Sequence, residues 1–256
     1  MVDVATLASN LSKADSMVLA QVFDPESAPT RAEVLIDPYL AADRHIKDVE
    51  LRSKLRSQER HAIMLIEDCE KTGTAHPDRR HAAYQQALAI LDNIVLEQPD
   101  YASARNNRAQ LRRWRYGDRN TLCQRRGGAV ADRGMAASSS INDLREAISL
   151  ASPPSPHDAV SPSQGRLLGQ AYTQLAALYY AASKDLVDRD FEVVSECVEG
   201  WDREALEEEG SRNFYLGGMY GNEVAKALAV HTNPHAKLCG SIVKEAMRKE
   251  FATAQV

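Results

Sequence analysis

Apolar positions along this chain recur at helical spacing, and strand-like alternation is scarce. Between Leu51 and Lys71 they fall at Leu51, Leu55, Ala62, Ile63, Leu65, Ile66 and Cys69, and Gly73 breaks the pattern. A second helix is predicted over Ala82–Leu96 and is stopped by Pro99. The same spacing predicts helices over Ser103–Arg115, Ile141–Leu150, Gly165–Ala182 and Phe191–Leu206. A short helix over Glu223–Val230 has Asn222 as its N-cap, and Pro234 opens a last one running to about Ala252. Residues 118–140, with RRGG, DRG and SSS, and residues 152–165, with four prolines, are expected to be exposed loops. Ser-Pro pairs at Ser152, Ser155 and Ser161 are candidate phosphorylation sites in a solvated linker.

The helices come in pairs, and the pairs repeat. Ala87, Leu91, Ile94 and Pro99 stand at the spacing of the second helix and terminal proline of a tetratricopeptide repeat. Ala104-Arg-Asn-Asn-Arg-Ala109 followed by Gly117-Asp118 resembles the next first helix, and Leu144, Ala147 and Ile148 supply its partner. Ala171–Ala176 opens a third repeat. Ala62, Ala109 and Ala176 sit where paired helices approach closely.

Three segments narrow the resemblance: Leu19–Pro25, Ala102–Gln110, and Phe191-Glu192 with Asn233–Cys239. In this order they resemble the landmarks of the tetratricopeptide repeat protein 36 family, in a divergent, fungal-type form. Arg105 and His235 stand where that family usually has an aromatic residue, and Gly240 where it has asparagine. The resemblance implies an all-α fold of tetratricopeptide-repeat helical hairpins stacked as an α-solenoid. Residues 1–45 are then a weakly structured N-terminal segment. Residues 46–232 are three helix pairs with inserted loops at 118–140 and 152–165, and residues 233–256 are a C-terminal capping helix. It also implies a non-catalytic scaffold in tyrosine catabolism, binding or protecting a pathway enzyme such as 4-hydroxyphenylpyruvate dioxygenase. A co-chaperone that binds heat-shock proteins is the alternative.

A stack of helix pairs leaves a concave groove lined by first helices. With Ala62, Ala109 and Ala176 taken as equivalent, Arg56, Arg60, Ser103, Asn107, Gln110, Trp114, Gln170 and Gln174 are expected to face it. Chaperone-binding repeats clamp a terminal carboxylate with cations and asparagines. The matching positions here are Glu59, Ile63, Asn107, Gln170 and Gln174, and only Asn107 fits.

Charge alters this picture locally. The 256-residue chain carries a net charge of −5, which argues against a general nucleic-acid binder. Residues 101–135 nevertheless sum to +7, with nine arginines against Asp118 and Asp132, and residues 185–210 sum to −9. Arg108, Arg112, Arg113 and Arg115 are expected to form a basic face that meets the acidic run or an acidic partner.

Catalytic patterns are missing: no GxSxG, HExxH or P-loop occurs. His231 and His235 flank Pro234 and are not placed to share a metal. Gly217–Gly221 is expected to be a helix–helix turn. Cys69, Cys123, Cys197 and Cys239 form no CxxC pair, which fits free thiols in a reducing, cytoplasmic setting, with the nucleus also open. No basic leader and no membrane-length apolar run occur. The expectation is a protein partner, with no cofactor, metal, nucleic acid or membrane.

Overall fold

The computed structural model describes residues 34–71, 77–128, 132–155 and 158–233. Contacts divide the chain into Met1–Val34 and Leu35–Val256, and every described helix and strand lies in the second unit. Its described helices are α1 (Val49–Lys71), α2 (Pro77–Glu97), α3 (Ala102–Tyr116), α4 (Asp132–Ala151), α5 (Pro162–Asp185), α6 (Arg203–Met219) and α7 (Glu223–Thr232). The most extensive helix contacts join α5 to α6 and α3 to α4, followed equally by α1 to α2 and α6 to α7. Each second helix also meets the next first helix, α2 against α3 and α4 against α5, and α3 touches α5 directly. The chain is thus all-α in its main elements, built from three consecutive helix pairs with α7 on the third.

The core follows that order. Leu55, Tyr84, Leu91, Ile94 and Leu111 fill the space among α1, α2 and α3. Leu122, Ile141, Leu144, Leu175, Leu178, Tyr179 and Leu206 fill the middle. Ala176, Phe214 and Ala225 close the far end. Alanines do much of the fitting: Ala87, Ala104, Ala109, Ala147, Ala171 and Ala176 are fully buried. A methyl group lets helix axes approach while keeping the best intrinsic helix propensity. Caps set the starts of three helices. Ser161 accepts from the Gln164 amide, Asp202 from Ala205, and Asn222 from Ala225.

Several sequence expectations need correction. Residues 118–140 are not one exposed loop. They hold the strand β1 (Cys123–Arg125), and α4 begins at Asp132, well before Ile141. The small residues Gly134, Ala137 and Ser140 suit a buried helix face rather than a loop. No helix spans Phe191–Leu206. Residues Phe191–Val193 form β2, Glu196–Val198 a short 3-10 turn, and only Arg203 starts α6. β1 and β2 pair antiparallel, with Cys123 opposite Val193 and Arg125 opposite Phe191. This pairing ties the two long inter-helix connections together, and the periodicity of either segment alone cannot register it.

The segment expected to be weakly structured up to residue 45 is, from Leu35 on, largely exposed but tied to the rest of the fold by hydrogen bonds. Ile36 bridges Val160 in parallel, through Asp37 N–H to Val160 O at 3.0 Å and Val160 N–H to Leu35 O at 2.9 Å. The second expected loop therefore ends at this bridge, before α5 begins at Pro162. The turn expected at Gly217–Gly221 is shorter: Gly217 and Gly218 complete α6, and Gly221, at φ +83°, makes the turn. The expected last helix from Pro234, and with it nearly all of the capping segment 233–256, lies outside the described residues.

Candidate functional site

The first helices of the three pairs meet around one cavity of about 430 Å³. α1 supplies Arg52, Arg56 and Glu59, α3 supplies Ala102, Ser103 and Asn106, and α5 supplies Arg166, Leu167 and Gln170. The strap before α1 closes one side with Ala42, Asp43, Arg44 and His45, and the end of α4 adds Leu150 and Ala151. The strap is pinned in place: Arg44 Nη1 donates to Ser152 O at 2.9 Å, and His45 Nε2 lies 3.1 Å from Leu150 O.

Of the eight expected groove residues, Arg56, Ser103 and Gln170 line this cavity. Asn107 and Gln174 do not face open space. Asn107 Nδ2 donates to Glu59 Oε1 at 2.8 Å. Gln174 is buried, donates to Asn106 Oδ1 at 2.9 Å and accepts from Arg113 Nη1 at 3.2 Å. Both side chains therefore join first helices to one another. Arg60 and Gln110 are exposed and lie outside the cavity. Trp114 packs sideways: its indole N–H donates to Glu70 Oε1 at 2.6 Å, and the Arg80 guanidinium lies 4.4 Å from the ring centroid.

Glu59, at the base of the cavity, is 5% exposed. The Tyr101 hydroxyl donates to its Oε2 at 2.7 Å, and Ser103 adds a further hydrogen bond. Burial raises the Glu59 carboxyl above its ordinary range despite these donors and the nearby Arg56 charge. Burial and the facing carboxylate push the Tyr101 hydroxyl up as well.

The expected basic face turns inward. Asp143 of α4, 4% exposed, accepts from Arg108 Nε at 2.8 Å and Nη2 at 2.6 Å. Arg112 also bonds to Asp143, and Arg105 lies 3.7 Å away. Arg108 reaches Asp92 of α2 at 2.8 Å, so one guanidinium links three helices. Arg113 forms a fork onto Asp118 at 2.7 and 2.8 Å. Arg115 sits with its guanidinium 5.7 Å from the Tyr116 ring centroid. Three of the four named arginines are therefore structural cations with internal acids. The expected meeting of basic and acidic runs happens one segment later. Arg119 bonds Asp185, Arg125 lies 3.6 Å from Asp190, and Arg126 lies 3.5 Å from Glu192.

Sequence reasoning missed Arg44, His45, Arg52 and Arg166. A signal existed for two of them: Arg52 precedes Arg56 by four residues, and Arg166 precedes Gln170 by four, so each shares a helix face with an expected groove residue. The strap residues carried none, because only the return of the chain onto α4 brings them to the cavity. Among the described residues, no group of three or more His, Cys, Asp or Glu side chains is placed to hold a metal. No helix there is long and apolar enough to cross a membrane.

Fold and site together define a class: an all-α protein of successive helix pairs whose first helices share a polar, arginine-rich cavity. The chain is 37% identical over 252 residues to the L-tyrosine degradation gene cluster protein hmgX of Aspergillus fumigatus, covering 94% of this chain and 93% of that protein. It belongs to that protein's family. No family model matches the sequence, and no solved structure matches it.

Proposed function

We propose that this chain is a non-catalytic interaction protein of tyrosine degradation, whose stacked helix pairs hold a partner protein. The observation that carries this reading is the side-by-side joining of α1, α3 and α5, the first helices of three consecutive pairs, through Asn107 to Glu59 and Gln174 to Asn106. This is the arrangement expected of a tetratricopeptide-type solenoid, in which first helices line the recognition surface. The ordered landmarks shared with the tetratricopeptide repeat protein 36 family support the same reading. The pathway rests on the name of the fungal relative and on that resemblance. The partner on this reading is an aromatic-amino-acid catabolic enzyme such as 4-hydroxyphenylpyruvate dioxygenase, met in the cytoplasm. The heat-shock alternative is weaker, because Glu59, Asn107 and Gln174, three of the five clamp positions, are hydrogen-bonded within the protein.

Capture of partners from native cytosol with the tagged full chain tests it, alongside an Arg60→Ala/Gln110→Ala variant. Both positions are exposed and neither lines the cavity. The expected result is enrichment of an aromatic-amino-acid enzyme, reduced severalfold in the variant, and poor growth of a deletion strain on tyrosine. If no enzyme of that pathway is captured and growth is unchanged, the reading fails. Enrichment of chaperones alone would favour the alternative.

A further inference from the structure

The cavity has more cationic donors than its own acids can use. Among the described residues, Arg44, Arg52, Arg56 and Arg166 line it against Asp43 and Glu59, a formal balance of +2 with histidine counted as neutral. The acids are committed elsewhere. Asp43 Oδ1 accepts the backbone N–H groups of His45 and Ile46, both at 2.8 Å. Glu59 is held by Tyr101, Asn107 and Ser103. The cations are less so, although the Arg56 charge also acts on Glu59. Arg44 and Arg52 each place one N–H on a backbone carbonyl, Ser152 O and Ile46 O, out of five donors per guanidinium. Arg56 and Arg166 form no ion pair among the described residues. The first turn of α3 opens into the same space through Ala102 and Ser103, and its N-cap, Tyr101, supplies no side-chain cap. A helix N-terminus adds a fixed positive potential to that of the arginines.

Shape selects among anions. A space of about 430 Å³ suits a small molecule, since such pockets run from roughly 300 to 1,000 Å³. The strap and the end of α4 wall one side, so this is a bounded recess. Its arginines come from separate walls, α1, α5 and the strap, which favours a ligand with more than one anionic group. Planar guanidinium forks match carboxylates in pairs.

We propose that this cavity binds a small organic acid carrying two or more carboxylates, gripped between Arg52 and Arg56 on one wall and Arg166 on the other. The site stands apart from the partner-binding reading, whose test changes Arg60 and Gln110 and leaves these arginines intact.

Isothermal titration calorimetry of the full chain, with succinate, citrate, acetate and an end-blocked tetraglutamate peptide, tests it. Saturable binding of succinate or citrate is expected, with acetate at least about tenfold weaker. Arg56→Gln/Arg166→Gln should weaken the di- or tricarboxylate by about tenfold or more, the loss expected for charge-assisted hydrogen bonds. Arg126→Gln, in the exposed pair with Glu192, should change nothing. Arg166→Gln alone, at an exposed position, serves if circular dichroism finds the double variant unfolded. No saturable heat with either polycarboxylate overturns the proposal, as does undiminished affinity in the arginine variants. Tighter binding of the peptide than of both acids also overturns it, and would assign the cations to an acidic segment of a partner.

Discussion

Glu59 shows how one residue can be placed correctly by sequence and still be given the wrong surroundings. Its position on the inner face of α1 was legible, and its charge was set against a carboxylate ligand. The structure buries it instead, under hydrogen bonds from Tyr101, Asn107 and Ser103. Because burial raises its carboxyl pKa, the folded protein holds this proton more tightly than the unfolded chain does. The stability it contributes is complete below its ordinary value of 4.5 and is lost as pH rises through the raised one. Urea unfolding of the wild type and Glu59→Gln, from pH 4.5 to neutrality, should therefore show wild-type stability falling relative to the variant. Parallel pH profiles would exclude the effect. Asn107 and Gln174 teach the same lesson. A polar residue on an inner helix face can bond to a neighbouring helix, and its spacing does not distinguish that from an open groove.

Among the elements, the helices with a clear apolar stripe were legible, and the segments between them were not. α5 is the limiting case: thirteen of its 24 residues are buried, against Leu55, Glu59 and Ala62 in the 23 of α1. A helix buried on most sides reads as continuously apolar, as in Leu175–Ala182. The start of α4 and the β1–β2 pair were missed because small residues and a three-residue strand carry almost no period. Close approach between elements was also hidden. A Cβ on Gly217 of α6 would stand 2.9 Å from Thr173 Oγ1, 3.0 Å from the Ala225 Cβ and 3.2 Å from Gly169 O. Alanine should gain up to about 1 kcal/mol of helix propensity, but overpacking costs about 1–3 kcal/mol. Gly217→Ala is therefore expected to be net destabilising by roughly 1 kcal/mol in urea unfolding. A stabilised variant would show that α6 can move off α5 and α7 at little cost.

In the molecule as a whole, stability should be graded along the stack. The middle core of α3, α4 and α5 is reinforced by Asp143 and its arginines, and by Arg119 with Asp185. The ends have less: α7 buries only Ala225 and Thr232 in ten residues. Hydrogen exchange followed by mass spectrometry should find the amides of α5 slowest, and those of α7 and the outer turns of α1 fastest. Uniform protection would mean that the unit opens only all at once.

The sequence by itself determined the helical class, the pairing of the first four helices, and three residues of the cavity, Arg56, Ser103 and Gln170. These follow from local periodicity, breakers and small-residue spacing, which act over a few turns of one chain segment. Only the tertiary structure decided the rest. It turned the basic helix inward onto Asp143, paired β1 with β2, and laid the strap across the ends of α4 and α5 to wall one side of an arginine-lined recess. Each of these depends on which charges and backbone groups meet across long stretches of chain. A buried carboxylate will draw in whichever guanidiniums the packed helices bring to it, and that choice has no period along the sequence.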